Sequence, residues 1–270
     1  MNKVKQISSL QNPLVKKVLL LKEKSRERRN SGLFVLEGQR EFELVCKGGY
    51  TIQSVFFCPN IISEEKVLQI IDELEKFPEL IEVSEEIYQK IAYRESTEGI
   101  VAIACTKNHH LNDISFRNKN PLLLIAEAPE KPGNVGALLR TADAAKLDAV
   151  IIVNSNGDLY NPNIIRASVG CLFTVNIATG NTQEVINFLH KNKIAIYSAA
   201  LSASCNYTEV DYKKACAIVV GTEATGLSSE WLKKSDQNVV IPMQGEIDSM
   251  NVSVSAAILI FEAKRQREFL

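Results

Sequence analysis

Three segments of this sequence collect the residue types that steady an anion or hold a ligand. The first is Glu130-Lys131-Pro132-Gly133-Asn134-Val135-Gly136-Ala137-Leu138-Leu139-Arg140-Thr141-Ala142, which follows the apolar run Leu122-Leu123-Leu124-Ile125-Ala126. It reads as a turn opening a helix: Pro132 and Gly133 shape the turn, Asn134 can cap, and Gly136 permits another backbone to approach. Such a start either binds an anion or simply begins a helix. Arg140 is six residues after Asn134, so both can present toward one end of the helix, or the arginine is an ordinary surface residue. The second segment, Ala217-Ile218-Val219-Val220-Gly221-Thr222-Glu223-Ala224-Thr225-Gly226-Leu227-Ser228, puts Glu223 between two glycines at the carboxyl end of a strand, where open α/β sheets bind ligands. Ser228 can also be a helix cap with Leu227 as its staple. In the third, Pro242 ends a strand, Gly245 loosens the loop, and Ser249, Asn251 and Ser253 crowd hydrogen-bonding groups at the start of the last helix. One cap needs only one of them; the surplus favours a ligand site.

The elements that position these loops follow from apolar rhythm. Strands are expected near 122–126, 149–153, 194–198, 217–220 and 238–241, and helices near 135–146, 182–191 and 252–267, which favours a mostly parallel sheet with helices on both faces. In the last helix Val254, Ile258, Phe261 and Arg265 cannot all be core, and Leu259 adds a second apolar face. Ahead of this domain, strands near 33–36, 55–57 and 99–104 alternate with helical patterns near 39–47, 64–76 and 84–91, a small α/β unit. The polar tract Lys107–Asn120 separates the two, giving domains over 1–108 and 118–270.

With 270 residues, 46% of them hydrophobic and 23% charged, the chain is neither fibrous nor disordered. Its formal charge of −1 hides a polarity. Residues 1–30 carry nine basic against two acidic side chains, whereas 61–98 carry eleven acids against four bases. The basic run, with Leu14, Val15, Val18, Leu19 and Leu21 at helical spacing, is either a solvated helix face or a polyanion-contacting one. No apolar run reaches the roughly 20 residues of a membrane span, and the N-terminus has no signal-peptide pattern, so the expected location is the cytoplasm. Six cysteines without a Cys-x-x-Cys pair and three histidines argue against a disulfide framework and a metal site. A Gly-x-x-x-x-Gly-Lys loop and a Gly-x-Gly-x-x-Gly turn are both missing, which disfavours a triphosphatase and a dinucleotide oxidoreductase.

Taken together, the three segments resemble the motifs of the SpoU family of RNA ribose 2'-O-methyltransferases, part of the SPOUT class, as does the intervening Asn163-Ile164-Ile165-Arg166-Ala167-Ser168-Val169-Gly170. Residues 1–105 resemble the family's substrate-binding domain, an L30e-like α/β fold shared with some ribosomal proteins, through Asn12-Pro13, Arg28 and Phe34-Val35-Leu36-Glu37-Gly38. The resemblance implies a trefoil knot in the parallel sheet, a homodimer built on the knot region and last helix, S-adenosylmethionine as cofactor, and no metal. It implies that Arg140 activates a ribose 2'-hydroxyl, that Asn134 organises it with the adjacent phosphate, that Glu223 positions the arginine, and that Ser249 and Asn251 hold the sugar or cofactor edge. The cofactor would lie among Ala199, Leu201, Val220, Gly221, Glu223, Gly226, Ile241, Met243, Met250, Asn251 and Ser255. RNA phosphates would meet Lys16, Lys17, Arg26, Arg28, Arg29 and Arg166. Ribosomal RNA is the expected substrate; transfer RNA, and a non-catalytic RNA-binding or assembly role on the same scaffold, are the alternatives.

Overall fold

The computed structural model describes residues 4–72, 74, 76–93, 98–116, 118–155, 157–203, 205–222, 225–246 and 249–269. Its contacts divide the chain into two units: one of Met1–Lys107 with Asp158–Thr174, the other of Asn108–Gly157 with Val175–Leu270. The sequence division follows the chain linearly; the structure adds Asp158–Thr174 to the first unit.

In the first unit β1 (Lys5–Ile7) leads to α1 (Pro13–Glu23), where Asn12 accepts the Leu14 N–H and Pro13 opens the first turn. Val15, Val18 and Leu21 form its buried stripe. Lys24 is extended and breaks the helix from α2 (Ser25–Ser31), which stops at Gly32 with φ of 64°. β2 (Leu33–Glu37), α3 (Gln39–Lys47), β3 (Ile52–Phe57), α4 (Glu64–Ile71), β4 (Glu79–Val83), α5 (Glu85–Ile91) and β5 (Ile100–Cys105) complete a mixed sheet of order β1-β4-β3-β5-β2. Sequence pattern does not reveal β1 or β4: β1 is three residues with only Ile7 buried, and β4 lies inside the acidic stretch. α4 ends at Ile71 rather than at 76, where the Leu74 N–H turns back onto the Ile71 carbonyl.

The helix of the added segment, α7 (Pro162–Ala167), is fixed by aromatic packing. Tyr160 and Phe173 stack on Phe34 with centroids 4.6 and 5.6 Å away, and Tyr50 meets both edge-on. Burial beside Tyr160 pushes the Tyr50 phenol far above its usual range. Gly48 lacks a Cβ because one would sit 2.2 Å from the Phe173 carbonyl oxygen.

The second unit contains β6 (Leu122–Glu127), α6 (Pro132–Ala144), β7 (Ala149–Val153), β8 (Ile177–Gly180), α8 (Thr182–Lys191), β9 (Ala195–Ala199), β10 (Cys205–Asn206), β11 (Cys216–Val220), α9 (Ser229–Lys234), β12 (Gln237–Val240) and α10 (Val252–Gln266). Among the described residues its strands pair in parallel, in the order β10-β12-β9-β11-β6-β7-β8. Leu123, Ile125, Val219 and the fully buried Trp231 belong to its core. β12 lies between β9 and β10, which are consecutive in the chain, an interleaving that agrees with the fold the resemblance implies. No helix among the described residues is long and apolar enough to cross a membrane.

Candidate active site

β12, β9, β11 and β6 are adjacent, and their registers are nearly level at the carboxyl ends: Val239 faces Ala199, Val219 faces Ser198, and Val220 faces Ala126. Parallel pairing therefore delivers the loops after Ala199, Val220 and Val240, together with the turn into α6, to one edge of the sheet. Asn251 caps α10: its Oδ1 accepts the Ser253 N–H at 2.9 Å and the Ser253 hydroxyl at 2.6 Å. Its Nδ2 donates to Asn134 Oδ1 at 3.0 Å, so the first and third motif segments meet directly.

Asn134 is not the cap of α6. The helix begins at Pro132 after Lys131, and Asn134 is buried within its first turn, where its side chain serves Asn251. Arg140 is exposed on the same helix. Six residues of α-helix turn the two side chains about 120° apart and separate them by about 9 Å, so they do not share one end of the helix as the spacing suggested.

The second segment folds back on itself. Thr222 bridges to Gly226, and Thr222 Oγ1 accepts the Thr225 N–H at 3.1 Å. A Cβ at Gly221 would lie 2.3 Å from the Gly226 carbonyl carbon, so only glycine permits this closure. Gly226 has φ of 69°, and a Cβ there would meet open space. Glu223 lies outside the described residues. Ala199 and Gly221 are half-buried at their strand ends, Val220 is buried, Ser249 is exposed, and Ser255 is half-buried on α10. Leu201 is 62% exposed, and Ile241, Met243 and Met250 are half-buried. Apolar side chains left partly open at the strand ends suit the flat face of a heterocycle such as adenine, and these residues would hold S-adenosylmethionine.

One residue that sequence reasoning passes over is Glu127, 5% exposed at the end of β6. Its Oε2 accepts the Ser228 N–H at 2.8 Å, and its Oε1 accepts the Ser228 hydroxyl at 2.8 Å and the Thr182 hydroxyl at 3.4 Å. Ser228 precedes α9 without a side-chain capping bond; its hydroxyl goes to the carboxylate instead. The available signal was an acid closing a buried strand, the logic that singled out Glu223. Glu127 ties the far end of the loop after Val220 to β6. Glu127→Gln is expected to lower the unfolding free energy by about 1–3 kcal/mol. It should also weaken cofactor binding, as denaturant titration and calorimetry can check.

The basic residues divide. Lys16, Arg26 and Arg29 are exposed, and Lys17 is half-buried with its ammonium on Gln53 Oε1. Arg28 is no phosphate contact: it is 3% exposed, pairs with Asp158 at 2.5 Å, and donates to the Leu21 and Lys22 carbonyls. Arg166 donates to Asn163 Oδ1 at 2.8 Å and lies over the Tyr93 ring. Among the described residues no cluster of three His, Cys, Asp or Glu side chains could hold a metal. The six cysteines are free thiols, and burial pushes Cys216 up to about 11.

Known proteins share this architecture. A model of the SpoU rRNA Methylase family matches residues 121–261, and one of an MRM3-like substrate binding domain matches 12–102. The chain is 29% identical over 261 residues to the 23S rRNA (guanosine(2553)-2'-O)-methyltransferase RlmP of Bacillus subtilis, spanning 97% of this chain and 100% of that protein. It is 34% identical over 176 residues to the tRNA (guanosine(18)-2'-O)-methyltransferase of Thermus thermophilus, spanning 64% of this chain and 86% of that one. The crystal structure of an AdoMet-bound rRNA methyltransferase from Sinorhizobium meliloti superposes with a TM-score of 0.89 at 27% identity, over 97% of this chain and 98% of that chain. The first of these matches spans more than half of the sequence, and the chain belongs to the SpoU rRNA methylase family.

Proposed function

We propose that this enzyme transfers the methyl group of S-adenosylmethionine to a ribose 2'-hydroxyl of ribosomal RNA, and that it does so as a homodimer in the cytoplasm. The observation that carries the reaction is the Asn134–Asn251 hydrogen bond, which joins two motif segments at the carboxyl ends of adjacent parallel strands. Ribosomal RNA is favoured because the relative acting on it is matched along its whole length, whereas the transfer-RNA relative spans 64% of this chain.

When bound, the cofactor supplies a sulfonium-activated methyl carbon, which leaves the protein to orient the hydroxyl and assist loss of its proton. A protonated guanidinium has no acceptor, so Arg140 stabilises the developing alkoxide and fixes the neighbouring phosphate bidentately, and the hydroxyl proton passes to water. Asn134 is held for that task by Asn251; Ser249 flanks the sugar, and Glu223 positions the arginine. The separation of Arg140 from Asn134 around α6 supports a site completed by a second copy of the chain. So do Val254 and Phe261 on α10, left 48% and 42% exposed. The knot of the family fold would then sit at the same interface. Lys16, Lys17, Arg26 and Arg29 face the RNA backbone.

The test is site-resolved 2'-O-methyl mapping of total RNA from cells with and without the gene, restored by purified protein. One ribosomal position should lose its methyl group and regain it. Labelling confined to transfer RNA would select the alternative substrate, and cofactor binding without any methylation would indicate a non-catalytic RNA-binding role.

A further inference from the structure

Within the first unit a cleft opens beside Tyr93, a ring that is 44% exposed. The Arg166 guanidinium lies 4.5 Å from the ring centroid and the Lys22 ammonium 4.9 Å from it. Lys22 is fixed by donating to the Ile91 and Ala92 carbonyls at 2.6 and 2.8 Å, and burial lowers its pKa. The Tyr93 backbone N–H is held by the Glu37 carboxylate. Both are cation–π contacts, and the exposed part of the ring can take a further flat π-system.

The rest of the lining decides what that flat group is. Among the described residues Glu37, Glu41 and Glu98 face the same cleft, so three carboxylates there outweigh two cations and repel a phosphate. Gly38 has φ of 100°, and the point where its Cβ would stand is 2.6 Å from Glu41 Oε2 and 3.6 Å from Glu98 Oε2. The missing side chain thus brings two carboxylates together beside the aromatic stack. Glu98 accepts the Gln39 N–H on Oε2. Carboxylates only accept, and guanine is the base whose Watson–Crick edge offers adjacent donors, N1–H and the N2 amine.

We propose that this cleft is a nucleobase site that takes an unpaired guanine of the RNA substrate, a reading that rests on the assignment of the chain as an RNA methyltransferase. Arg166 and Tyr93 stack the base, Glu98 with Glu41 reads its donor edge, and Lys22 steadies the ring.

The full chain can be titrated with short, unstructured, fluorescently labelled oligouridylates carrying one central guanine, inosine, adenine or uracil. Guanine should bind tightest and inosine, which lacks the N2 amine, less tightly. Tyr93→Ala should weaken the guanine oligonucleotide about tenfold and erase the order, while Tyr93→Phe retains it. Arg166→Lys, which keeps charge without the plane, should also weaken it, and Glu98→Gln should remove the advantage of guanine over inosine. Equal binding of all four oligonucleotides, or an order unchanged in Tyr93→Ala, overturns the site. Methyl transfer to ribosomal RNA by the wild-type chain, assayed alongside, separates the two claims: base preference without methylation defeats the functional assignment, and methylation without base preference defeats the guanine site.

Discussion

Arg140→Ala is expected to lower the turnover of methyl transfer by about 10²–10³-fold, the cost of removing a donor aimed at developing negative charge. Its cofactor dissociation constant should stay close to that of the wild type. The residue is exposed on α6 rather than built into the packing of its own unit, so its loss leaves no buried hole. Arg140→Lys is the sharper variant. It keeps the positive charge and loses the fork, and a bidentate hold on phosphate and alkoxide does not survive that exchange. Single-turnover kinetics with isothermal titration of the cofactor distinguishes the cases. Near-normal methylation by the lysine variant would mean that charge alone suffices. Equal losses in turnover and cofactor affinity would mean that the substitution damages the pocket and that Arg140 has no part reserved for the transition state.

How far such a site can be read from sequence depends on how local its determinants are. The strands at 122–127, 149–153 and 216–220 are legible because parallel strands covered on both faces are written as unbroken apolar runs. Asn251 is legible because a small amide ahead of an apolar helix is a cap wherever it occurs. Glu127 is not, since its meaning depends on Ser228, 101 residues away. The relation of Asn134 to Arg140 is misread from spacing for a different reason: which face of α6 each occupies depends on where the helix begins, and it begins at Pro132 instead of after Asn134. The neighbours of β12 are likewise invisible, because an order that inserts a late strand between two earlier ones leaves no periodic trace. Short elements fail too. β8 has four residues and β10 two, below the length at which alternation means anything.

Arg28 shows the same dependence on distant partners, and it yields the largest expected effect on stability. In the sequence it is one of several basic residues in a row; in the fold it is the buried member of that row, paired with Asp158, which lies 130 residues further on. Arg28→Ala leaves the Asp158 carboxylate, itself 10% exposed, and the Leu21 and Lys22 carbonyls without their donor. Breaking a buried pair from one side costs about 3–5 kcal/mol. Asp158→Ala should cost a similar amount, and replacing both residues by apolar ones of similar volume should cost less than either single change, because no uncompensated charge remains. Urea unfolding monitored on each variant provides the measurement. Arg29→Ala, one residue along and exposed, is the control: its stability should stay within about 0.5 kcal/mol of the wild type. Its RNA affinity should lose about one unit of salt dependence, whereas the Arg28 variant, if it remains folded, keeps the wild-type slope. If the two arginines exchange these behaviours, Arg28 meets phosphate after all, and the pair with Asp158 is not what fastens Asp158–Thr174 to the first unit.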